Sequence, residues 1–214
     1  MTEARSPAPG FSSEAEITRQ LLTAVHQNST LTQRSVSQDL GIALGLANAY
    51  LKRCTKKGLI KIKQVPKNRY AYYLTPKGFS EKSRLTAEYL TQSFNLFRAA
   101  RREYGMLFSQ CSQQGWHDVV LCGVGDIGEI ATLCVGESRA RVVGFYDPSY
   151  SGKTFAGLNV FTTVAALPTA DAFVITDLRD PQRTFNTLAR ITPVERVLAP
   201  TLLGVSRRVP SDEP

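Results

Sequence analysis

Gly123-Val124-Gly125-Asp126-Ile127-Gly128 sets three glycines at G-x-G-x-x-G spacing. That spacing suits a backbone that must bend sharply, pass close to a pyrophosphate and pack a helix tightly on a strand. The apolar run Asp118-Val119-Val120-Leu121-Cys122 leads into the bend, and a helical stretch from Glu129 to Val135 follows it. A helix N-terminus placed there offers backbone N–H groups and a positive dipole end to an anion. A second apolar run, Arg141 to Tyr146, ends in Asp147, 19 positions after Gly128. An acid at that place accepts hydrogen bonds from ribose hydroxyls and repels a 2′-phosphate, which favours NAD-like over NADP-like ligands. A third run, Ala172 to Thr176, ends in Asp177, which should line the same crevice. The candidate ligand residues are Gly123, Val124, Gly125, Asp126, Ile127, Gly128, Tyr146, Asp147, Lys153 and Asp177. Two other readings compete: a glycine turn that is only structural, and a ligand other than a dinucleotide.

A second set of residues is cationic and lies earlier in the chain. Residues 1–115 hold 17 Lys and Arg against 7 Asp and Glu, whereas residues 116–214 hold 9 against 11. The first half therefore carries +10 and the second −2 of the overall +8, as expected if one domain meets a polyanion. Its placement is specific. Leu44, Ala47, Leu51 and Cys54 recur as one apolar helix face, and the opposite face offers Gly45, Leu46, Asn48, Ala49, Lys52 and Arg53. Asn48 could pair with an adenine edge, and the small Gly45 and Ala49 would let the backbone approach a groove closely. Arg34, Lys52, Arg53, Lys56 and Lys57 suit phosphates.

The elements that must position these residues follow from periodicity. Ser13 and Glu16 have capping-box spacing, and Ile17, Leu21, Leu22 and Val25 continue a first helix to about His26. Thr32 caps a short helix carrying Val36 and Leu40, which Gly41 stops; the Asn48 helix then begins. Two short helices across a glycine turn form a helix-turn-helix pattern. Leu59 to Lys63 alternates apolar and basic, Gln64 to Asn68 is a turn, and Arg69 to Leu74 is a return strand. The hairpin reads as a wing, with Lys67 and Arg69 tracking phosphates or entering a minor groove.

No Gly or Pro interrupts Phe79 to Glu103. Ala87, Leu90, Phe94, Phe97, Arg101, Tyr104, Phe108 and Cys111 recur at spacings of three and four, so a long helix with a dimer seam is expected, packing against the chain's own domains being the alternative. Pro181 to Ile191 predicts another helix and Arg196 to Pro200 a last strand.

Composition narrows the function classes. No apolar run reaches about 18 residues, so no membrane span is expected. The N-terminus lacks a signal-peptide core and reads, like the last residues, as a disordered arm. Cys54, Cys111, Cys122 and Cys134 form no C-x-x-C pair, and His26 and His117 are the only histidines, so no metal site is expected and the thiols should be free. No Tyr-x-x-x-Lys pair or Ser-His arrangement accompanies the glycine bend, which argues for a sensor over an enzyme.

Resemblances sharpen this picture. Thr32-Gln33-Arg34, Leu40-Gly41-Ile42, Leu44-Gly45, Asn48, Lys56 to Lys61, Tyr72 to Gly78 and Glu81 to Thr86 resemble MarR-type winged-helix regulators, especially the subgroup associated with exopolysaccharide gene clusters. Ala43, where Ser is expected, and Cys54, where Leu is expected, depart from that pattern. Val143 to Asp147, Gly152-Lys153, Gly157 to Val160 and Leu198-Ala199-Pro200 resemble the redox-sensing repressor Rex, which implies NAD(H). The same glycine turn resembles the N-terminal Rossmann domain of sugar acyltransferases, which implies a nucleotide sugar. The stretch after Pro200 is short and ends in polar residues, so the domain-swapped helix of Rex is not expected there and any dimerisation is expected from residues 80–115. The expectation is an α/β two-domain chain: an arm (1–12), a winged helix-turn-helix (13–80), a dimerisation and linker helix (81–115), a Rossmann-like parallel α/β domain (116–208) and a tail (209–214). It would be a cytoplasmic, nucleoid-associated homodimer that binds a double-stranded DNA operator under control of a nucleotide-like ligand.

Overall fold

The computed structural model describes residues 13–65 and 69–207. The expected terminal arm and tail and Lys67 lie outside those residues, as do the side chains of Ser13 and Arg69. The chain divides into two compact units, residues 1–96 and 97–214, with the boundary inside one helix.

The first unit contains α1 (Ser13–Gln27), α2 (Gln33–Leu40), α3 (Leu44–Lys56) and the antiparallel hairpin β1 (Ile60–Val65) and β2 (Arg69–Leu74). It ends in the N-terminal part of α4 (Pro76–Gln113). Local chemistry sets the breaks. Thr32 and Ser35 form a reciprocal capping box that starts α2, and Gly41 ends it in the left-handed region at φ 62°. The expected box at Ser13 rests on a side chain outside the described residues; Glu16 accepts from Arg19 and Gln20, partners on its own helix. The core gathers Leu21, Leu22, Val25, Val36, Ala47, Leu51 and Cys54 from the three helices. Leu59, Ile60 and Tyr72 of the hairpin and Leu85 of α4 close it.

Two expectations change here. Leu44 is 48% exposed, because it lies on the first turn of α3, beyond the side chains that cover Ala47 and Leu51. Strand alternation also fails at Ile62, which is 41% exposed although Ile60 is buried. Ile62 stands opposite Tyr72 in the ladder but on the outer strand, whereas α1 meets the hairpin through β2, where the Tyr72 amide donates to the Ser29 carbonyl. At the base of the hairpin Thr75 donates to the Gly58 carbonyl and accepts from the Gly78 amide, which starts α4. A Cβ on Gly78 would lie 2.0 Å from the Leu59 carbonyl oxygen. Gly78→Ala is therefore expected to destabilise the first unit by about 2 kcal/mol. Urea titration followed by far-UV circular dichroism reads this, and an unchanged midpoint would show that α4 can shift at no cost.

The second unit carries the C-terminal part of α4 and then β3 (Asp118–Cys122), α5 (Asp126–Cys134), β4 (Arg141–Tyr146), β5 (Thr154–Phe155), β6 (Leu158–Phe161), β7 (Ala172–Ile175), α6 (Pro181–Ala189) and β8 (Val197–Leu198). The sheet order is β5-β6-β4-β3-β7-β8, parallel throughout except for the edge strand β5. From β3 the chain first moves outward through β4 to β6, then returns to the other side through β7 and β8. This is a doubly wound arrangement with its switch point between β3 and β7, and a crevice is expected at the carboxyl ends of the strands there. The pair β5 and β6 was not anticipated, since its residues were read only as a glycine-containing motif. Val120, Cys122, Phe173, Ile175 and Val197 pack with Phe185 and Leu188 of α6 on one face. Gly128 brings α5 against the other: a Cβ there would lie 2.8 Å from the Phe145 ring.

The long seam divides. Tyr104, Phe108 and Cys111 are fully buried in the second unit, and the Tyr104 hydroxyl donates to the Ile175 carbonyl at 2.8 Å. Those positions are closed to a second chain. Leu90 and Phe94, at 46% and 59%, stay exposed. Burial also explains three of the cysteines. It pushes the Cys54 and Cys111 thiols up to about 11 and raises that of Cys122 further, so none is a thiolate at neutral pH.

Candidate nucleic-acid interface and ligand crevice

The first turns of α3 face outward. Gly45, Leu46 and Ala49 are exposed, Asn48 is half-buried, and Lys52, Lys56 and Lys57 follow as exposed cations. Leu44 and Leu46 add exposed apolar surface to the same turn. The helix starts at Ala43 without a side-chain cap. Arg34 is exposed on the first turn of α2. Arg53 behaves differently from its neighbours: its guanidinium pairs with Glu14 of α1 at 2.6 Å. That contact ties α3 to α1 and gives Arg53 an acid as partner instead of a phosphate. On β1, Lys61 and Lys63 are exposed and extend the cationic surface. They were missed as site residues, although the apolar–basic alternation of the strand carried the signal.

At the carboxyl ends of the strands, the glycine bend is held from both sides. Gly123 has φ 118°, and its carbonyl accepts from the buried Thr176 hydroxyl at 2.6 Å. Asp147 is only 2% exposed. Its carboxylate accepts from the Val124 amide at 3.0 Å, from the Ser149 amide at 2.9 Å and from the Ser149 hydroxyl at 2.8 Å. Arg179, from the loop after β7, also donates to Asp147 and reaches Asp177 at 3.4 Å. Asp177 in turn accepts from the Thr184 hydroxyl at 2.8 Å. Asp147 and Asp177 are thus brought together by Arg179, a residue with no sequence signal beyond its place in a loop. Ser149 in a loop, Thr176 at the end of the third apolar run and Thr184 on α6 carried no sequence signal as site residues either.

Other expected ligand residues separate. The Tyr146 side chain turns into the core against Cys122, Phe173 and Ile175, which removes it from the crevice. The reason is strand alternation: Tyr146 points away from the face that carries Phe145. Ile127 and Gly128 are buried packing positions. Gly125 is partly exposed and Asp126 exposed, and nothing lies within 4 Å of where a Cβ on Gly125 would be, so the bend keeps open space at its middle. Lys153 is exposed on the loop after β4. Among the described residues no group of His, Cys, Asp or Glu is arranged to hold a metal, and no helix is long and apolar enough to cross a membrane.

Burial by itself would raise the Asp147 carboxyl. The Val124 amide, the Ser149 hydroxyl and amide, and the Arg179 charge outweigh it and hold the group below its ordinary range. A carboxyl whose folded value is depressed contributes stability above its unfolded value of about 4 and loses it as pH falls through the folded value. Asp147→Asn is expected to flatten part of the acid-side loss of stability of the second unit. The single tryptophan, Trp116, reports this unit in urea titrations across acid pH. An acid limb identical to that of the parent chain would exclude Asp147 as a contributor.

Residues 14–61, from α1 into β1, match the winged helix-turn-helix DNA-binding family. The N-terminal unit is a winged helix-turn-helix domain. No curated protein matches the chain. Among solved structures the chain is similar to the PcaV transcriptional regulator from Streptomyces coelicolor, at 20% identity over 42% of this chain and 63% of that one, with a TM-score of 0.36. It is also similar to a Staphylococcus aureus MepR mutant bound to an oligodeoxyribonucleotide, at 22% identity over 40% of this chain and 63% of that one, with a TM-score of 0.34. The chain therefore spans less than two thirds of either regulator. A third likeness, to human N-acetylserotonin methyltransferase in complex with SAM, covers 93% of this chain and 81% of that one at 12% identity and a TM-score of 0.30. Similarity this faint carries no argument about activity. What the winged helix-turn-helix domain presents is the exposed start of α3 beside a lysine-bearing ribbon.

Proposed function

We propose that the chain is a transcription regulator of the MarR type whose winged helix-turn-helix domain reads double-stranded DNA. The observation that carries this is the outward first half of α3. It offers Asn48 between small residues, with Lys52, Lys56 and Lys57 behind it and Lys61 and Lys63 on the adjoining strand. A major groove admits such a helix, an Asn can pair with adenine, and the lysines supply the salt-dependent phosphate term. The exposed Leu90 and Phe94 stripe on α4 is the surface through which a homodimer would bring two such helices to a two-fold operator.

The doubly wound domain is read as a non-catalytic sensor of a nucleotide-type ligand, NAD(H) or a nucleotide sugar. The open middle of the glycine bend supports this. In this reading the ribose hydroxyls reach Asp147 when Arg179 swings out, and α4, shared by both units, carries the change toward α3. The exopolysaccharide-associated and Rex-like resemblances remain part of this proposal.

Selection of duplexes from a random pool by the full chain, followed by fluorescence anisotropy, tests the DNA reading. A shared motif is expected, and Asn48→Ala should relax the preference at one adenine by about 1–3 kcal/mol. Recovery of no enriched sequence would refute it. A thermal-shift series with NAD, NADH and UDP-sugars tests the sensor reading. Stabilisation by none of them would refute that part alone.

A further inference from the structure

Residues 43–51 span the start of α3, and the exposed ones among them are Ala43, Leu44, Gly45, Leu46 and Ala49. None of these carries a hydrogen-bonding side chain. Asn48 and Tyr50 are half-buried, and Tyr50 packs against the core of the first unit. The exposed cations begin only at Lys52. A single exposed leucine would call for no reason. Here Leu44 and Leu46, the latter 43% exposed, bracket a glycine that the fold does not require. Gly45 is helical, and a Cβ on it would meet nothing within 4 Å. Glycine inside a helix costs stability relative to alanine, so neither torsion nor packing accounts for it. What the missing Cβ does provide is bare backbone on an outward turn, beside an apolar side chain.

We propose that Leu46, with Ala49 one turn on and Gly45 beside it, reads the 5-methyl groups of thymine in the major groove. This deepens the DNA reading above and rests on it. The charge pattern selects the occupant. The apolar turn is followed by Lys52 and Lys56 on the same helix and adjoined by Lys61 and Lys63 on β1. An occupant must therefore be apolar at its centre and polyanionic at its edges. A major groove meets both conditions, since thymine methyls project from its floor and phosphates line its walls. Leu46 and Ala49 stand three residues apart on one helix face, so both can lie against that floor. Gly45 lets the helix backbone come close enough for them to touch it. Selectivity then comes from burial and not from hydrogen bonds. A cytosine in the same place has no methyl, and Leu46 would leave its amino group without a partner.

Fluorescence anisotropy of the full chain on its enriched duplex, at about 0.15 M salt, tests this with each thymine replaced in turn by deoxyuridine. Deoxyuridine pairs as thymine does and lacks only the methyl. At one or more positions the replacement should raise the Kd about fourfold, the contribution of one methyl taken out of water. Leu46→Ala should weaken binding to the thymine duplex and bind the two duplexes within twofold of each other. Lys52→Gln should weaken binding to both and keep the fourfold ratio. Gly45→Ala should raise the urea midpoint yet raise the Kd about tenfold, because its methyl would crowd the groove floor. Deoxyuridine on the parent chain needs no variant, so the test stands whether or not a substitution folds. The proposal is overturned if no replacement changes the parent's Kd by more than twofold, if Leu46→Ala keeps the parent's ratio, or if Gly45→Ala binds as tightly as the parent. Each of those results would leave DNA binding itself in place, whereas a chain that binds no duplex would refute the DNA reading and this one together.

Discussion

Gly123→Val is expected to destabilise the second unit by about 4 kcal/mol, through strain and overpacking acting together. The position has φ 118°, which L-residues with a branched Cβ rarely adopt. A Cβ there would also lie 2.3 Å from the Asp177 amide nitrogen and 2.4 Å from its Cα. Those atoms are backbone, so no rotamer change relieves the clash. The bend and the end of β7 are also tied by the Thr176 hydroxyl on the Gly123 carbonyl, so moving one moves the other. Trp116 fluorescence in urea should show an early transition. A midpoint within error of the parent chain would mean that the bend is loose and that its closeness to β7 is not structural.

Reversing charge at Lys52 and Lys56 together should have the largest effect on DNA. Both are exposed on α3. Duplex affinity is expected to fall about 100-fold near physiological salt, with the slope of log affinity against log salt smaller by about 2. The loss should be similar for specific and random duplexes, because phosphate contacts carry little sequence information. Anisotropy titrations of Lys52→Glu with Lys56→Glu at several salt concentrations measure both quantities. An unchanged salt slope would show that α3 does not track phosphates. The same variant of Arg53 alone is expected to act partly through stability, since it breaks the contact with Glu14.

Much of the architecture was legible in the chain. The Thr32 cap and the Gly41 stop placed α2, and the apolar–basic alternation placed the ribbon. The glycine spacing placed the bend between β3 and α5. The sites were legible less evenly. Residue types identified the outward cations of α3, but not that Arg53 would be held by an acid 39 positions earlier. Asp147 was identified from its distance to the bend, but its four donors were not, because Arg179 lies 32 positions further along the chain. Leu44 fits an apolar helix face by periodicity and is exposed all the same, since periodicity describes a face and not what covers it.

The amino-acid order alone determined where helices begin and stop, which strands run buried and where the backbone must bend. Those features arise from interactions within a few residues: caps, glycine torsions and the alternation of side chains. Only the tertiary structure decided which half of α4 the second unit claims as core and that Tyr146 turns inward. It also decided that Arg179 bridges two acids. Each of these depends on what surrounds a side chain after distant segments pack, and burial and ion pairing are set by those neighbours.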